Sequence, residues 1–352
     1  MRSEDLVVLG LSGGVDSAVA ALRLRSEGRE VVGVTLRMHD LSGCGGDASE
    51  AARRVADRVG IRHLVVDCRD GFRREVLLRC WEAYDGGRTP NPCVFCNAKV
   101  KFAALAGVAD ELGAGYIATG HYAQLRGGRI VRGVDERKDQ SYFLWALPRA
   151  VRERLLFPLG SWIKGGVRAA AREAGLANAE APESQDVCFS DGTTPFAELL
   201  RRTVGGRVRE GLFVDDEGRA LGPHKGVHLC TIGQRKGLGI ALGARARVVS
   251  IDACSGRIGL STNPRATAAV GAVAEGWIWQ EAEPGRDVAL TAQTRYRQRP
   301  IPVASWACSE GRMEVRFAQP ADVITPGQSL VLYAGDEVVG GGFVRQGIGA
   351  KD

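Results

Sequence analysis

Several things are missing from this chain, and each absence removes a class of function. No apolar run reaches membrane length. The N-terminus, MRSEDLVVLGLSGG, puts acidic residues ahead of a short run that ends in glycine, so neither a signal peptide nor a membrane span is expected. There is no internal repeat and no low-complexity tract. The nine cysteines (44, 68, 80, 93, 96, 188, 230, 254, 308) are odd in number and lack framework spacing. That pattern fits reduced thiols in a cytoplasmic protein. No Gly-Lys-Ser/Thr phosphate loop is present, which disfavours γ-phosphoryl transfer. The single CxxC has no second CxxC or CxxH to complete a zinc site. Extreme charge is absent too: a net charge of +6 permits a polyanionic partner without demonstrating one.

What is present reads as a soluble globular chain, 45% hydrophobic and 25% charged over 352 residues, long enough for two or three domains. The runs DLVVLG (5–10), EVVGVTL (30–36), HLVVDC (63–68) and YIATGH (116–121) are Val- and Ile-rich and bounded by turn residues, as buried parallel strands are. Between them DSAVAALRLRSEG, DASEAARRVADRVG, GFRREVLLRCWEAY and NAKVKFAALAGVADELGA carry apolar residues at helical spacing. The expected fold class is therefore α/β, a doubly wound parallel sheet over residues 1–193. A small central domain is expected over 194–264 and an antiparallel β-barrel over 265–352, where runs such as ARVVSID, DVALTAQTRYRQ and RMEVRFA alternate polar and apolar residues. VVGGGFV (338–344) is expected as a strand turn of that barrel, with Trp277, Trp279 and Trp306 in its core.

The first chemical motif is Gly10-Leu11-Ser12-Gly13-Gly14-Val15-Asp16-Ser17, a strand running into a glycine turn and then a helix. Glycines admit close approach of a ligand, while the Ser12 and Ser17 hydroxyls and the helix N–H groups suit phosphate oxygens. The motif resembles the PP-loop of ATP pyrophosphatases, which cleave ATP between the α and β phosphates and adenylate a substrate. The resemblance implies ATP and Mg2+ as cofactors, with Asp16 and Ser17 assisting the Mg-pyrophosphate portion.

Six further stretches choose among such enzymes: TPNPCVFCNAKVKF (89–102), ATGHYAQL (118–125), GVDERKDQSYFLWAL (133–147), ESQDVCFS (183–190), HLCTIGQRKGLGI (228–240) and TRYRQRPIPV (294–303), followed by PGQSLVLYAGDEVVGGG (326–342). In this order they resemble the tRNA-specific 2-thiouridylases, and the likeness spans residues 6–345. It implies ATP-dependent thiolation at C2 of the wobble uridine in tRNAs for Lys, Glu and Gln. Adenylation makes the uracil oxygen a leaving group, and a persulfide sulfur then attacks C2. On the family pattern Cys188 carries the persulfide and Cys96 is the second thiol, the pair ending as a disulfide that a reductant reopens. Partners implied are tRNA and a sulfur donor protein, either a cysteine desulfurase or a relay carrier, with no membrane. Leu36 and Gly120 match the adenine side of the ATP site. Asn91, Pro92 and Cys93 match contacts to the target base, and His121, Lys138, Asp139, Gln140, Arg295, Tyr296 and Gln328 match tRNA-contact positions.

One point rests on the residues themselves, and one on a departure from the pattern of the family that the chain resembles. Cys96 lies just before a helix expected to begin near Asn97, with Lys99 and Lys101 following, a setting that favours a thiolate. Cys93 occupies a position where many relatives keep Asp, and a thiol is no preformed carboxylate at neutral pH. The substitution creates the CxxC, so Cys93, Cys96 and Cys188 are also candidate ligands of a [4Fe–4S] cluster. Two rival readings are a PP-loop ligase of a small molecule, which leaves the cysteines idle, and a non-catalytic RNA-binding module, which leaves SGGVDS unexplained.

Overall fold

The computed structural model describes residues 3–40, 48–181, 188–240 and 243–349. Cys44 and residues 183–187 of the ESQDVCFS stretch lie outside them. The chain divides into two compact units: Met1–Val76, Cys93–Gly192 and Asp336–Val338 in the first, and Leu77–Pro92, Thr193–Gly335 and Val339–Asp352 in the second.

In the first unit the chain runs β1 (Ser3–Gly10), α1 (Val15–Ser26), β2 (Glu30–Arg37), α2 (Ala48–Val59) and β3 (Arg62–Asp67). A helix over 69–85, α3, follows; it enters this unit's core through Phe72 and continues into the second unit. Next come α4 (Pro92–Glu111), β4 (Ala114–Thr119), the hairpin β5 (Ala123–Arg126) and β6 (Arg129–Arg132), β7 (Leu155–Leu156) and α5 (Lys164–Glu173). Strands β3-β2-β1-β4-β7 form one parallel sheet. The α/β class expected from the alternation of runs is the one observed. Val7, Val8 and Leu9 are fully buried because a central parallel strand is covered on both faces. Leu11, Ala18, Ala21 and Leu24 join them, with Ala52, Ala56, Val167 and Ala171, which puts α1, α2 and α5 against the sheet. By length and composition α4 could cross a membrane. Val94, Val100, Phe102, Leu105 and Ala109 on it are buried in the protein, so it is a core helix.

In the second unit α6 (Phe196–Val204) precedes a four-stranded sheet made of β8 (Gly211–Val214), β9 (Ala220–His224), β10 (Arg247–Asp252) and β11 (Arg257–Ser261), ordered β10-β11-β8-β9. Phe213, Val248, Ile258 and Leu260 make its core. ARVVSID, expected in the barrel, is β10 of this sheet instead. The barrel follows: β12 (Ala269–Trp279), β13 (Leu290–Gln293), β14 (Ile301–Ser309), β15 (Arg312–Ala321), β16 (Ser329–Ala334) and β17 (Glu337–Ile348), ordered β12-β15-β14-β13-β16-β17 and closed by β12–β17 pairing. VVGGGFV lies inside β17 rather than at a turn. Its glycines face the tryptophans: a Cβ on Gly340 or Gly342 would come within 3.0 Å of the Trp279 or Trp277 ring. Trp277, Trp279 and Trp306 pack edge to face at 5.2 and 5.4 Å.

Candidate active site

Strand β1 ends at Gly10, and Leu11 to Gly14 turn the chain into α1. Gly13 sits at φ +78°, a left-handed conformation that side chains resist. A Cβ there would meet Ala51 Cβ at 2.8 Å and Ala52 N at 2.9 Å, so α2 seats the turn. Asn178 Nδ2 donates to Gly13 O at 2.7 Å. Ser17, buried at 5% exposure, ties the loop together: its Oγ donates to Gly14 O at 3.0 Å and accepts from Ser12 N at 3.2 Å. Gly14, the N-cap of α1, makes no side-chain capping bond, and the first N–H groups of the helix suit an anion. Gly120, immediately after β4, brings its backbone against the loop: a Cβ would stand 3.0 Å from Asp16 C and Ser17 N. Leu36 is the penultimate residue of β2. The nucleotide candidates therefore share the carboxyl ends of β1, β2 and β4, where ligands of open α/β sheets collect.

Asp16 is held more tightly than its motif implied. Its Oδ1 accepts from Lys164 Nζ at 2.6 Å and from the Tyr122 hydroxyl at 2.7 Å, and Lys164 is buried at the start of α5. Lys164, Tyr122 and Asn178 escaped the sequence reading. None lies in a local pattern that points at residue 16; only the fold brings them there.

The cysteines form a second group at the same end of the sheet. Helix α4 begins at Pro92, not near Asn97, and its turn Cys96–Lys101 is π-helical. Cys96 is thus a full turn inside the helix, 6% exposed, with Sγ 3.7 Å from Met38 Sδ just beyond β2. Burial pushes its thiol up to about 12, against the opposing charge of Lys101. Burial likewise pushes Cys93 up to about 11, with Cys188 adding in the same direction. The expectation of a resting Cys96 thiolate is corrected: loss of solvation outweighs the lysine, and Lys99 points to solvent.

Cys188 is exposed, and its backbone hydrogen-bonds the His39 imidazole. The neighbouring Phe189 is buried 5.4 Å from the His39 ring and 6.1 Å from Phe72. An aromatic anchor thus fixes the chain beside a thiol that faces solvent. Cys93, Cys96 and Cys188 lie close enough for charge on one to act on the others. Among the described residues, however, no group of three His, Cys, Asp or Glu is disposed to hold a metal ion. As arranged here the three thiols do not fit an iron–sulfur cluster.

His121 is a buried neutral imidazole. It shares a 2.8 Å hydrogen bond with Thr119 Oγ1, stacks on Phe102 and meets Phe157 edge-on. Burial holds its pKa well below the ordinary 6.5. Asp139 is committed internally, accepting from Gly133 N, Ser141 N and Ser141 Oγ at 2.9–3.0 Å and from Arg132 at 3.1 Å. Gln140 Oε1 accepts from Tyr122 N at 3.0 Å. Asp139 shapes the loop after β6 that carries half-buried Lys138, and Gln140 ties that loop to the β4–β5 segment holding the Asp16 partner Tyr122.

In the second unit the PGQ turn grips the segment leading to the cysteines. Thr89 N donates to Pro326 O at 2.8 Å, and Gln328 Nε2 donates to Thr89 O and Pro90 O, each at 3.0 Å. Gly327, at φ +91°, would drive a Cβ to 2.7 Å from Thr89 O. Gln328 thus spends its amide on backbone. Asn91 is 3% exposed beside Ser329 Oγ at 3.5 Å. Arg295 is exposed and Tyr296 half-buried under the Arg297 guanidinium at 5.1 Å.

Three family profiles match in succession: "tRNA methyl transferase HUP domain" over 5–192, "tRNA methyl transferase PRC-barrel domain" over 198–261 and "Aminomethyltransferase beta-barrel domain" over 271–344. The chain is 42% identical to a tRNA-specific 2-thiouridylase of Bacteroides fragilis, covering 99% of this chain and 97% of that one. It is 41% identical to the enzyme of that name from Sorangium cellulosum, covering 96% and 92%, and 40% identical to that of Carboxydothermus hydrogenoformans, covering 97% of each.

Proposed function

This chain belongs to the tRNA-specific 2-thiouridylase family, and from that membership we propose that it uses ATP to replace O2 of the wobble uridine in tRNAs for Lys, Glu and Gln with sulfur, releasing AMP and pyrophosphate. One observation carries the reading: an uncapped glycine phosphate loop and a group of three cysteines stand together at the carboxyl edge of one parallel sheet. A small-molecule ligase needs only the loop, and an RNA-binding module needs neither.

The loop Gly10–Ser17 receives the triphosphate, with backbone N–H groups and the Ser12 hydroxyl toward its oxygens. Leu36 and Gly120 bound the adenine. Mg2+ suits the donor set as a passenger of the nucleotide, with the Asp16 carboxylate the protein's oxygen ligand and the phosphates supplying the others. A magnesium ion held there would neutralise charge on the departing pyrophosphate. Lys164 and Tyr122 orient Asp16 for that role. The uridine O2 attacks the α-phosphorus, so a poor leaving group becomes AMP. Cys188, exposed, takes sulfur as a persulfide from a cysteine desulfurase or a relay carrier. The terminal sulfur attacks C2 and AMP departs. Cys96 then attacks Cys188 Sγ, freeing the thiouridine and leaving a Cys96–Cys188 disulfide for a reductant. Cys93, a neutral thiol, contacts the base with Asn91 and Pro92 and does not serve as its base. Lys138, His121, Arg295, Tyr296 and Gln328 belong to tRNA recognition, Gln328 by fixing the TPNP backbone. The domains of this enzyme are 1–193 for chemistry and 194–264 and 265–352 for tRNA, and its place of work is the cytoplasm.

The test is pyrophosphate release from ATP with and without tRNA, with mass spectrometry of the nucleosides. Release that requires tRNA, together with 2-thiouridine, is expected. Release without tRNA would turn the reading to a small-molecule ligase, and no turnover at all to a binding module. Anaerobic purification with iron analysis checks the sulfur route: an iron-free active enzyme is expected, and activity that depends on iron overturns the persulfide steps.

A further inference from the structure

We propose that Cys93 and Cys96 are a redox dithiol that takes over the disulfide left on Cys188, so that the sulfur carrier is freed inside the protein before any external reductant acts. The inference rests on the proposed thiolation and concerns how its cycle closes.

Three observations carry it. Cys93 and Cys96 are three apart in the first turn and a half of a 20-residue helix, Pro92–Glu111. Residues at that spacing have Cβ atoms about 5–6 Å apart, and a disulfide needs about 3.5–4.5 Å. The missing 1–2 Å is available because the first turn's N–H groups have no helical partner to hold them. Second, the three thiols are graded in exposure: Cys188 exposed, Cys93 half-buried, Cys96 buried. The partly open position belongs to Cys93, which can therefore meet an external dithiol, while Cys96 can be reached only through its neighbours. Third, Cys96 and Cys188 meet the same short segment beyond β2: Cys96 Sγ lies 3.7 Å from Met38 Sδ, and the Cys188 backbone bonds the next residue, His39, whose ring is 5.4 Å from Phe189.

The chemistry balances. After sulfur transfer a bond joins Cys96 Sγ to Cys188 Sγ. Cys93 gives its proton to water, and its thiolate attacks Cys96 Sγ. The Cys93–Cys96 bond forms as the Cys96–Cys188 bond breaks, and the electron pair leaves with Cys188, which takes up a proton. No net oxidation occurs; the two-electron oxidised state has moved from the carrier to the CxxC. An external dithiol then reduces Cys93–Cys96 to two thiols and is itself oxidised to a disulfide. Cys188 is reloadable before that last step.

The experiment is a single turnover of the full-length protein, loaded on Cys188 with polysulfide and mixed with ATP and tRNA without reductant. It is then acid-quenched, alkylated and digested with trypsin. Cys93 and Cys96 fall in one peptide, between Arg88 and Lys99, and Cys188 in another. The expected result is a Cys93/Cys96 peptide lighter by two hydrogens and unalkylated, with Cys188 alkylated. In Cys93→Ser, whatever its turnover, each equivalent of 2-thiouridine formed should be matched by an equivalent of the two peptides cross-linked through Cys96 and Cys188. One equivalent of 2-thiouridine together with a persistent Cys96–Cys188 cross-link and an alkylated Cys93 in the unsubstituted protein would overturn the relay while leaving the thiolation intact. Absence of 2-thiouridine from the same tube would overturn the thiolation and the relay with it.

Discussion

The phosphate loop and the cysteine group border the same sheet edge, yet they are built on opposite principles. The loop is polar, open at the helix end and locked by Ser17, Asn178 and α2. It is organised before any ligand arrives. In the cysteine group Cys96 is sunk beside Met38, Cys93 is half-buried and only Cys188 faces solvent, and burial raises the pKa of the Cys93 and Cys96 thiols. On the proposed function, the comparison teaches that ATP would meet a finished site, while sulfur chemistry would wait for solvent, tRNA or the persulfide to change the surroundings of Cys96. Such an order keeps a reactive thiolate out of idle encounters.

The largest effect that bears on this contrast is expected from Cys188→Ser. It should abolish 2-thiouridine in nucleoside mass spectra while tRNA retention on filters persists, and unchanged thiolation would remove Cys188 from the mechanism. Next is the reactivity of Cys96 in the resting protein. A thiol moved from 9.0 up to about 12 carries about a thousandfold less thiolate near neutral pH, so iodoacetamide should modify Cys96 that much more slowly in the folded protein than in the same protein unfolded in urea. Its rate should climb about tenfold per pH unit. Equal rates would mean that the cysteine site is as open as the loop.

Gly13→Ala probes the other side. The new methyl meets both Ala51 and Ala52 at a left-handed φ, a strain of about 1–3 kcal/mol before the clash is added. Pyrophosphate release should fall by about a hundredfold, and a variant with normal ATP kinetics would show the loop to be adjustable. The smallest effect is on stability above pH 9. Cys96 and Cys230 are buried, and both titrate higher folded than unfolded, at about 12 and about 11. Their contribution is whole below 9 and declines as pH rises through those values, each by up to about 1.4 kcal/mol per pH unit. Urea midpoints between pH 8 and 11 should show the decline, and Cys230→Ala should make it shallower.

Most of the first unit could be read from the chain because its signals are local. SGGVDS joins a buried strand to a helix within one turn, and the runs at 5–10, 30–36, 63–68 and 116–121 became β1 to β4 nearly residue for residue. The helix starts at Pro92 rather than near Asn97, because proline fits the first turn of a helix. The state of Cys96 could not be read at all. Two lysines follow it in sequence, but what decides its proton is burial against Met38, 58 positions earlier. The PGQ turn was read as an RNA contact, and its amide holds Thr89 and Pro90, over 200 positions away.

The sequence by itself determined the chemistry available to this protein: a glycine loop of a kind able to take phosphates, and three thiols, two of them in one CxxC, of a kind able to exchange sulfur. Those properties belong to residue types and near neighbours, and short-range sterics and hydrogen bonding enforce them wherever the chain folds. Only the tertiary structure decided which of these groups is ready. Lys164 and Tyr122 come to Asp16 from distant segments, and solvent is taken away from Cys96 by elements that converge only in the fold. Desolvation depends on everything packed around a group, and a linear pattern does not hold that information.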